Sequence, residues 1–131
     1  MRVLQRREIP KEPLVGRVLQ KAIGKGSASE STKMTIAFCR YSAESGPMEP
    51  HQHAEETVYI IDAKDGWIRK GPSKTDLPET VRVAEGTVLH FAEMEWHVFE
   101  YGDGGFIDAL CIYGQVDNIR PEEILSSSSN T

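Results

Sequence analysis

Residues 46–59, GPMEPHQHAEETVY, place two histidines two positions apart and two glutamates shortly after them. Alternate side chains of a β-strand point to the same face, so an extended backbone here brings the imidazoles of His51 and His53 together. Glu55 or Glu56 can join them after a small bend, and strand alternation does not choose between the two. The stretch is therefore either a polar turn between strands or half of a metal site, since two histidines and one carboxylate are typical ligands of non-haem iron.

The rest of the chain has the pattern of an all-β protein. Runs such as MTIAFCRYSA (34–43), TVYIIDA (57–63) and FIDALCIYGQV (106–116) are rich in β-branched and aromatic residues. About eight short strands, separated by turn residues, predict a β-sandwich or a β-barrel. The segments KDGW (64–67) and GDGG (102–105) are predicted as turns between strands. No predicted helix is long enough to cover a parallel sheet.

The histidine stretch resembles the first motif of the cupin superfamily, whose members are small jelly-roll β-barrels. That motif runs glycine, five residues, His-x-His, three or four residues, glutamate, six residues, glycine. The same residue types occur here in the same order, at Gly46, His51, His53, Glu56 and Gly66. The first two gaps are one residue shorter than in the family, and the last gap is three residues longer.

Residues 86–101, GTVLHFAEMEWHVFEY, resemble the second cupin motif. That motif runs glycine, five residues, Pro-x-Gly, two residues, histidine, three residues, asparagine, and Gly86 and His97 keep its spacing. The positions of its proline, glycine and asparagine hold Ala92, Met94 and Tyr101. The resemblance covers about residues 34–115 and implies a single jelly-roll barrel, also called a double-stranded β-helix.

The resemblance implies a divalent transition metal bound by His51, His53, Glu56 and His97. Glu56 is preferred to Glu55 because it is nearer the family's spacing and because an aromatic residue follows it three positions later. Three neutral imidazoles and one carboxylate leave two positions open on a six-coordinate ion, for water or for the oxygens of a substrate. Iron, manganese, nickel, zinc and cobalt all suit this ligand set.

Two further residues, His90 and Tyr101, are candidates for acid–base catalysis. His90 lies between Leu89 and Phe91 in a predicted strand, so it faces outward if these two face the core and lines the cavity if they do not. Aromatic residues and one methionine are candidates for an apolar substrate wall, with packing in the core or at an interface as the alternative: Tyr59, Trp67, Met94, Trp96 and Phe99.

Composition excludes several classes of protein. The chain has 15 basic and 20 acidic residues, and its one basic cluster is short and lies near the start, so we expect no nucleic-acid partner. No apolar run approaches the roughly 20 residues of a membrane span, and no apolar signal segment is present, which favours a cytoplasmic location. Cys39 and Cys111 lie in apolar runs and are predicted to be buried free thiols.

Three regions are expected along the chain. Residues 1–33 form an N-terminal arm and loop that belongs to the barrel or to a dimer interface, residues 34–118 form the barrel, and residues 119–131 form a short turn and a disordered tail. The segment RVLQRREIP (2–10) is expected to be a strand exchanged between the subunits of a homodimer.

These observations predict a metal-dependent enzyme that acts on a small, oxygen-bearing organic substrate. The reaction is left open among those of a dioxygenase, an isomerase and a lyase, because one fold hosts many reactions. The alternatives are a non-catalytic cupin that binds or senses a small ligand and a barrel that has lost its metal.

Overall fold

The computed structural model describes residues 1–120, and their regular structure is almost entirely β. There are seven strands: β1 Glu12–Leu14, β2 Arg17–Ile23, β3 Thr35–Ser42, β4 Glu56–Gly71, β5 Glu79–Val83, β6 Val88–Phe91 and β7 Trp96–Tyr113. The helical segments of this range are two single 3-10 turns, Arg6–Glu8 and Ala43–Ser45, so none of its helices has the length to cross a membrane. The all-β prediction is confirmed, while the helical turn and tail predicted beyond Arg120 lie outside the described residues.

Strands β4 and β7 form the centre of one antiparallel sheet. The order of strands is β1-β2-β3-β7-β4-β5, and β6 pairs with the first residues of β4. The two long strands pair from Glu56↔Tyr113 to Gly71↔Trp96, and the whole sheet curls into a jelly-roll barrel. The chain just before β4 crosses back to pair with the beginning of β7, which places the histidine stretch against that strand.

The turns predicted at residues 64–67 and 102–105 are wrong, because both segments lie inside the long strands. The pairing register shifts next to Asp65, which has a φ of 47°, and Gly104 in the facing strand has a φ of 72°. Aspartate and glycine tolerate this left-handed conformation, which suits a β-bulge as well as a tight turn. Both strands therefore bend together at this corner and remain paired beyond it, which reduces the predicted eight strands to seven.

Inward-facing side chains of β3, β4, β6 and β7 fill the barrel. The core includes Val58, Ile60, Ile68, Phe99 and Ile107, each at most 2% exposed. Burial of each such side chain stabilises the fold by about 1.5–3 kcal/mol. Both cysteines belong to the same core as free thiols, as the sequence predicted.

The N-terminal segment 2–10 folds onto its own chain and contains no strand, so its prediction as a strand is wrong. Arg6 donates two hydrogen bonds to the carboxylate of Asp108, at 2.6 and 2.7 Å. The side-chain amide of Gln20 donates to the carbonyls of Arg6 and Ile9. These contacts attach the segment to the outer face of strands β2, β3 and β7, and the homodimer itself stays a prediction.

The corner of the barrel depends on the absence of a side chain at Gly66. A Cβ there would lie 2.5 Å from Cγ1 of Ile107, which is fully buried. We expect Gly66→Ala to lower the free energy of unfolding by about 1–3 kcal/mol, measured by chemical denaturation, because the core has no room for the extra methyl group. Gly114→Ala is the matched control, since a Cβ there meets no atom within 4 Å. Equal stability of the two variants would contradict this account.

Candidate metal centre

Three histidines bring their imidazoles to one place inside the barrel. His51 and His97 exchange two backbone N–H···O bonds of 2.9 Å, so their side chains project to the same side and their ring centres lie 4.4 Å apart. His53, two residues further along, projects the same way, with its ring centre 5.2 Å from that of His51 and 4.7 Å from that of His97. One nitrogen from each histidine lies within 4.8 Å of the other two. The structure therefore brings together three of the four predicted ligands.

Backbone carbonyl groups fix the orientation of all three rings. The Nδ1 atom of His51 lies 3.2 Å from the Glu49 oxygen, that of His53 lies 2.8 Å from the Ala54 oxygen, and that of His97 lies 2.7 Å from the Glu95 oxygen. A carbonyl oxygen only accepts hydrogen bonds, so each Nδ1 carries the proton and donates it. In a neutral ring of this tautomer, Nε2 has the free lone pair, which is the arrangement that metal-binding histidines show.

The free nitrogens face one another at short range. The Nε2 atoms of His53 and His97 are 3.1 Å apart. With both Nδ1 atoms acting as donors, two neutral rings have no proton to share between these nitrogens, and their lone pairs repel. A bound cation removes this repulsion by accepting both lone pairs. The short distance between these two Nε2 atoms therefore fits two ligands of one metal ion.

Burial keeps His51 and His97 neutral at physiological pH. It lowers the pKa of His51 to about 4, with a further contribution from the charge of His53. Burial also lowers the pKa of His97 to about 2, with further contributions from His51 and His53. A neutral imidazole binds a metal without first releasing a proton, so these two ligands are ready to bind well below pH 7.

Aromatic rings surround the three histidines. Phe91 stacks on His97 with ring centres 4.0 Å apart, and Phe99 contacts the same imidazole edge-on at 6.1 Å. Tyr113 packs edge-on against His53 at 5.4 Å. These rings exclude water from most of the site, and a low local dielectric strengthens electrostatic interactions within it.

Glu56, and not Glu55, is the glutamate that turns into the barrel. Its side chain is 3% exposed, and its Oε1 lies 3.4 Å from Nε2 of His53. It lies just outside the group of three histidines whose ligand atoms are mutually within 4.8 Å. Burial raises the pKa of Glu56, whereas His53 and the hydroxyl of Tyr113 lower it in part. The carboxylate therefore stands next to the trio, beside His53.

Glu55 and His90 lie together on the outside of the barrel. Nε2 of His90 is 2.5 Å from Oε2 of Glu55, and both side chains are 63% exposed. His90 pairs with Thr57 in the sheet, next to the pair Glu56↔Phe91, and the alternation of strand faces directs it outward. The structure thus places His90 away from the three histidines, and this position does not support the predicted catalytic role.

Tyr101 lines a cavity of about 400 Å³, and Phe99, which also lines it, contacts His97. The hydroxyl of Tyr101 donates a 3.1 Å hydrogen bond to the carbonyl of Gly46, and burial raises its pKa, so the phenol is protonated. The cavity has a mainly apolar lining that includes Pro47, Met48, Trp67 and Phe99. Trp67 and Phe99 were among the residues predicted for the apolar wall.

The turn before His97 keeps a left-handed residue although the family's Pro-x-Gly is absent. Met94 occupies the position of that glycine and has a φ of 64°. Its backbone N–H donates a 2.7 Å hydrogen bond to the carbonyl of His53. A left-handed residue other than glycine costs about 1–2 kcal/mol, which this contact between the two histidine segments offsets in part.

Two residues of the site, Tyr113 and Phe91, escaped the sequence analysis. Both pair directly with Glu56 in the sheet and therefore share its inward face. Strand alternation from Cys111 to Tyr113 could have identified the tyrosine, but only after the cysteine was known to point inward. The residues present fit a divalent transition metal, because three imidazoles converge with a carboxylate beside one of them, and no cationic side chain of residues 1–120 is hydrogen-bonded to them.

The similarity of the chain to known proteins lies in its fold. The sequence matches no family model and no curated protein. The polyketide cyclase RemF from Streptomyces resistomycificus is 19% identical, with a TM-score of 0.69 over 86% of this chain and 78% of that chain. The ectoine synthase from P. lautus is 15% identical, with a TM-score of 0.68 over 97% of this chain and 86% of that chain.

A cupin-like protein from Thermotoga maritima is 11% identical, with a TM-score of 0.59 over 76% of this chain and 69% of that chain. Together, these likenesses show that the chain has the fold of the cupin superfamily, as its two motifs predicted.

The two neighbouring glutamates offer a matched test of the site. We expect Glu56→Gln to weaken the binding of Co²⁺ at least roughly tenfold, because the amide keeps the shape of the side chain but lacks its negative charge. Glu55→Gln removes the same charge one residue away, on the outer surface, and should leave the affinity unchanged. Competition titration with a chelator measures both. Equal affinities of the two variants would contradict the position assigned to Glu56.

Proposed function

We propose that the chain is a metal-dependent enzyme that acts on a small, oxygen-bearing organic substrate, with the metal held by His51, His53, His97 and Glu56. One observation carries the proposal: backbone carbonyl groups accept hydrogen bonds from all three Nδ1 atoms, and one nitrogen of each ring lies within 4.8 Å of the other two. A structural role alone does not require three imidazoles to face one another in this way.

The donor set suits iron, manganese, nickel, zinc or cobalt. When bound, such an ion supplies Lewis-acid polarisation of a substrate oxygen or, with iron, the activation of dioxygen. The reaction therefore stays open among those of a dioxygenase, an isomerase and a lyase.

The residues around the histidines have separate roles in this proposal. Met48, Trp67 and Phe99 hold the apolar part of the substrate in the cavity. Phe99 belongs to that cavity and also contacts His97, so it connects the substrate's apolar part with the metal ligands. Tyr101 acts as a positioning residue, since its hydroxyl is bound to the Gly46 carbonyl and thereby holds the loop that leads into the histidine stretch.

A non-catalytic ligand-binding cupin is the second candidate, and the hydrogen bonds of the cavity favour it. Tyr101 donates to a backbone carbonyl, and Glu100 accepts from both Trp67 and Arg69. His90, the other predicted acid or base, faces outward. The named enzymes among the similar structures, a cyclase and a synthase, support the first candidate instead.

The proposal includes a homodimer and a cytoplasmic location. Support for a dimer comes from apolar side chains on the outer face of β4 and β6. Tyr59 and Val88 pair with each other in the sheet and are 42% and 63% exposed. Adjacent exposed apolar residues on one sheet are typical of a surface that another chain covers.

Elemental analysis tests the proposal most simply. The purified protein, reconstituted with each candidate metal, should hold close to one equivalent, and a variant with His51→Ala and His53→Ala should hold almost none. Turnover of a panel of diketones and enols, followed by dioxygen uptake and by product analysis, then separates an oxygenase from an isomerase or a lyase. Metal without turnover would favour the binding module, and absence of metal after reconstitution would contradict the metal-dependent enzyme.

A further inference from the structure

We infer that Arg17 binds an anionic group of the substrate, so that the substrate is a carboxylic acid or another small organic anion. This inference rests on the proposed function, because it assigns a substrate class to the same site. It concerns a residue that neither cupin motif contains and that lies on β2, outside both histidine segments.

The pairing of strands directs Arg17 into the barrel. Leu19 pairs with Cys39, which is a core residue, so Leu19 and Arg17 share the inward face of β2. The preceding residue, Gly16, donates its N–H to the carbonyl of Ser45, and a Cβ on it would lie 3.0 Å from the Cα of Met48. The start of β2 therefore packs against the loop that runs into the histidine stretch.

The guanidinium group of Arg17 forms no ion pair among residues 1–120. Its Nε is buried and has no hydrogen-bond partner. Other arginines of this chain pair with carboxylates: Arg6 with Asp108, Arg69 with Glu100 and Arg82 with Asp65. A buried donor of a charged group that lacks a partner is destabilising, so the fold retains Arg17 at the expense of stability.

Tyr41 shares the interior of the barrel with Arg17. Burial raises the pKa of this phenol well above its ordinary value, so Tyr41 supplies no negative charge to Arg17 at neutral pH.

The missing partner has a defined chemistry. A guanidinium group presents parallel N–H donors that match the two oxygens of a carboxylate, and it binds such groups most strongly where water is excluded. A substrate with a carboxylate and a second oxygen can therefore use both the guanidinium group and an open position of the metal. Such a substrate belongs to the oxygen-bearing class that the metal centre requires.

A competing anion site lies on the opposite face of the same sheet. A cavity of about 600 Å³ there is lined by four basic residues: Arg6, Arg7, Lys11 and Arg40. Arg6 is neutralised by Asp108, and the guanidinium group of Arg40 lies 4.4 Å from the ring centre of Phe106. Arg40 lies on β3, next to β2, and points outward, so it provides a matched control for Arg17.

The test compares Arg17→Gln with Arg40→Gln, using pyruvate and its neutral analogue pyruvamide as probes. Calorimetric titration of the Co²⁺-loaded and the metal-free protein should show that Arg17→Gln weakens pyruvate binding roughly tenfold to a hundredfold, the effect of losing hydrogen bonds to a charged group. Arg40→Gln should leave it unchanged, and pyruvamide should bind all forms equally weakly. The inference is overturned if Arg17→Gln binds pyruvate like the wild type, or if only Arg40→Gln weakens it.

Thermal unfolding provides a second readout that needs no ligand. Because Arg17 is a buried charge without a partner, Arg17→Gln should melt at the wild-type temperature or above it. A lower melting temperature would show that Arg17 serves the fold, and would overturn the inference. Cobalt content, measured in parallel, separates the two proposals. If the wild type binds no cobalt, the metal-dependent function is contradicted. If the wild type binds cobalt but binds pyruvate and pyruvamide equally well, only the role of Arg17 is contradicted.

Discussion

The paired backbone hydrogen bonds between His51 and His97 are the constraint on which the site depends. These two bonds of 2.9 Å join His51, which precedes β4, to His97 near the start of β7. The two residues are 46 positions apart in the sequence. They set the register that makes both imidazoles project inward, and alternation then directs His53 to the same point. A shift of one residue would turn His51 or His97 to the opposite face and disperse the ligands.

The second requirement is a set of oriented histidines in an apolar interior. Three backbone carbonyl groups accept hydrogen bonds from the Nδ1 atoms of the histidines. The side chains of Phe91, Phe99 and Tyr113 surround the imidazoles. Burial alone would make three imidazoles with unused nitrogens unfavourable, because buried polar atoms need partners. A cation at the centre satisfies the three Nε2 atoms at once, so folding and metal binding are expected to stabilise each other.

The histidine positions could be predicted because they follow from local alternation and from a resemblance in spacing. The preference for Glu56 over Glu55 agrees with the inward direction of the Glu56 side chain. Strand β4 begins at Glu56, and every second residue of its first part faces the core. The bends at 64–67 and 102–105 could not be predicted, because Asp-Gly and Gly-Gly suit a bulge and a turn equally well. Only the pairing of β4 with β7 on both sides of the bend decides between them. Arg17 escaped notice for a similar reason, since its lack of a partner depends on residues far away in the sequence.

Anomalous diffraction from crystals of the zinc-loaded protein tests the central claim most directly. The account predicts one strong peak in the barrel, about 2.0–2.1 Å from the Nε2 atoms of His51, His53 and His97. The Nδ1 atoms of the three residues should keep their hydrogen bonds to the backbone carbonyls. A peak bound through Nδ1, or zinc bound only at surface carboxylates, would contradict the claim that these lone pairs form a metal site.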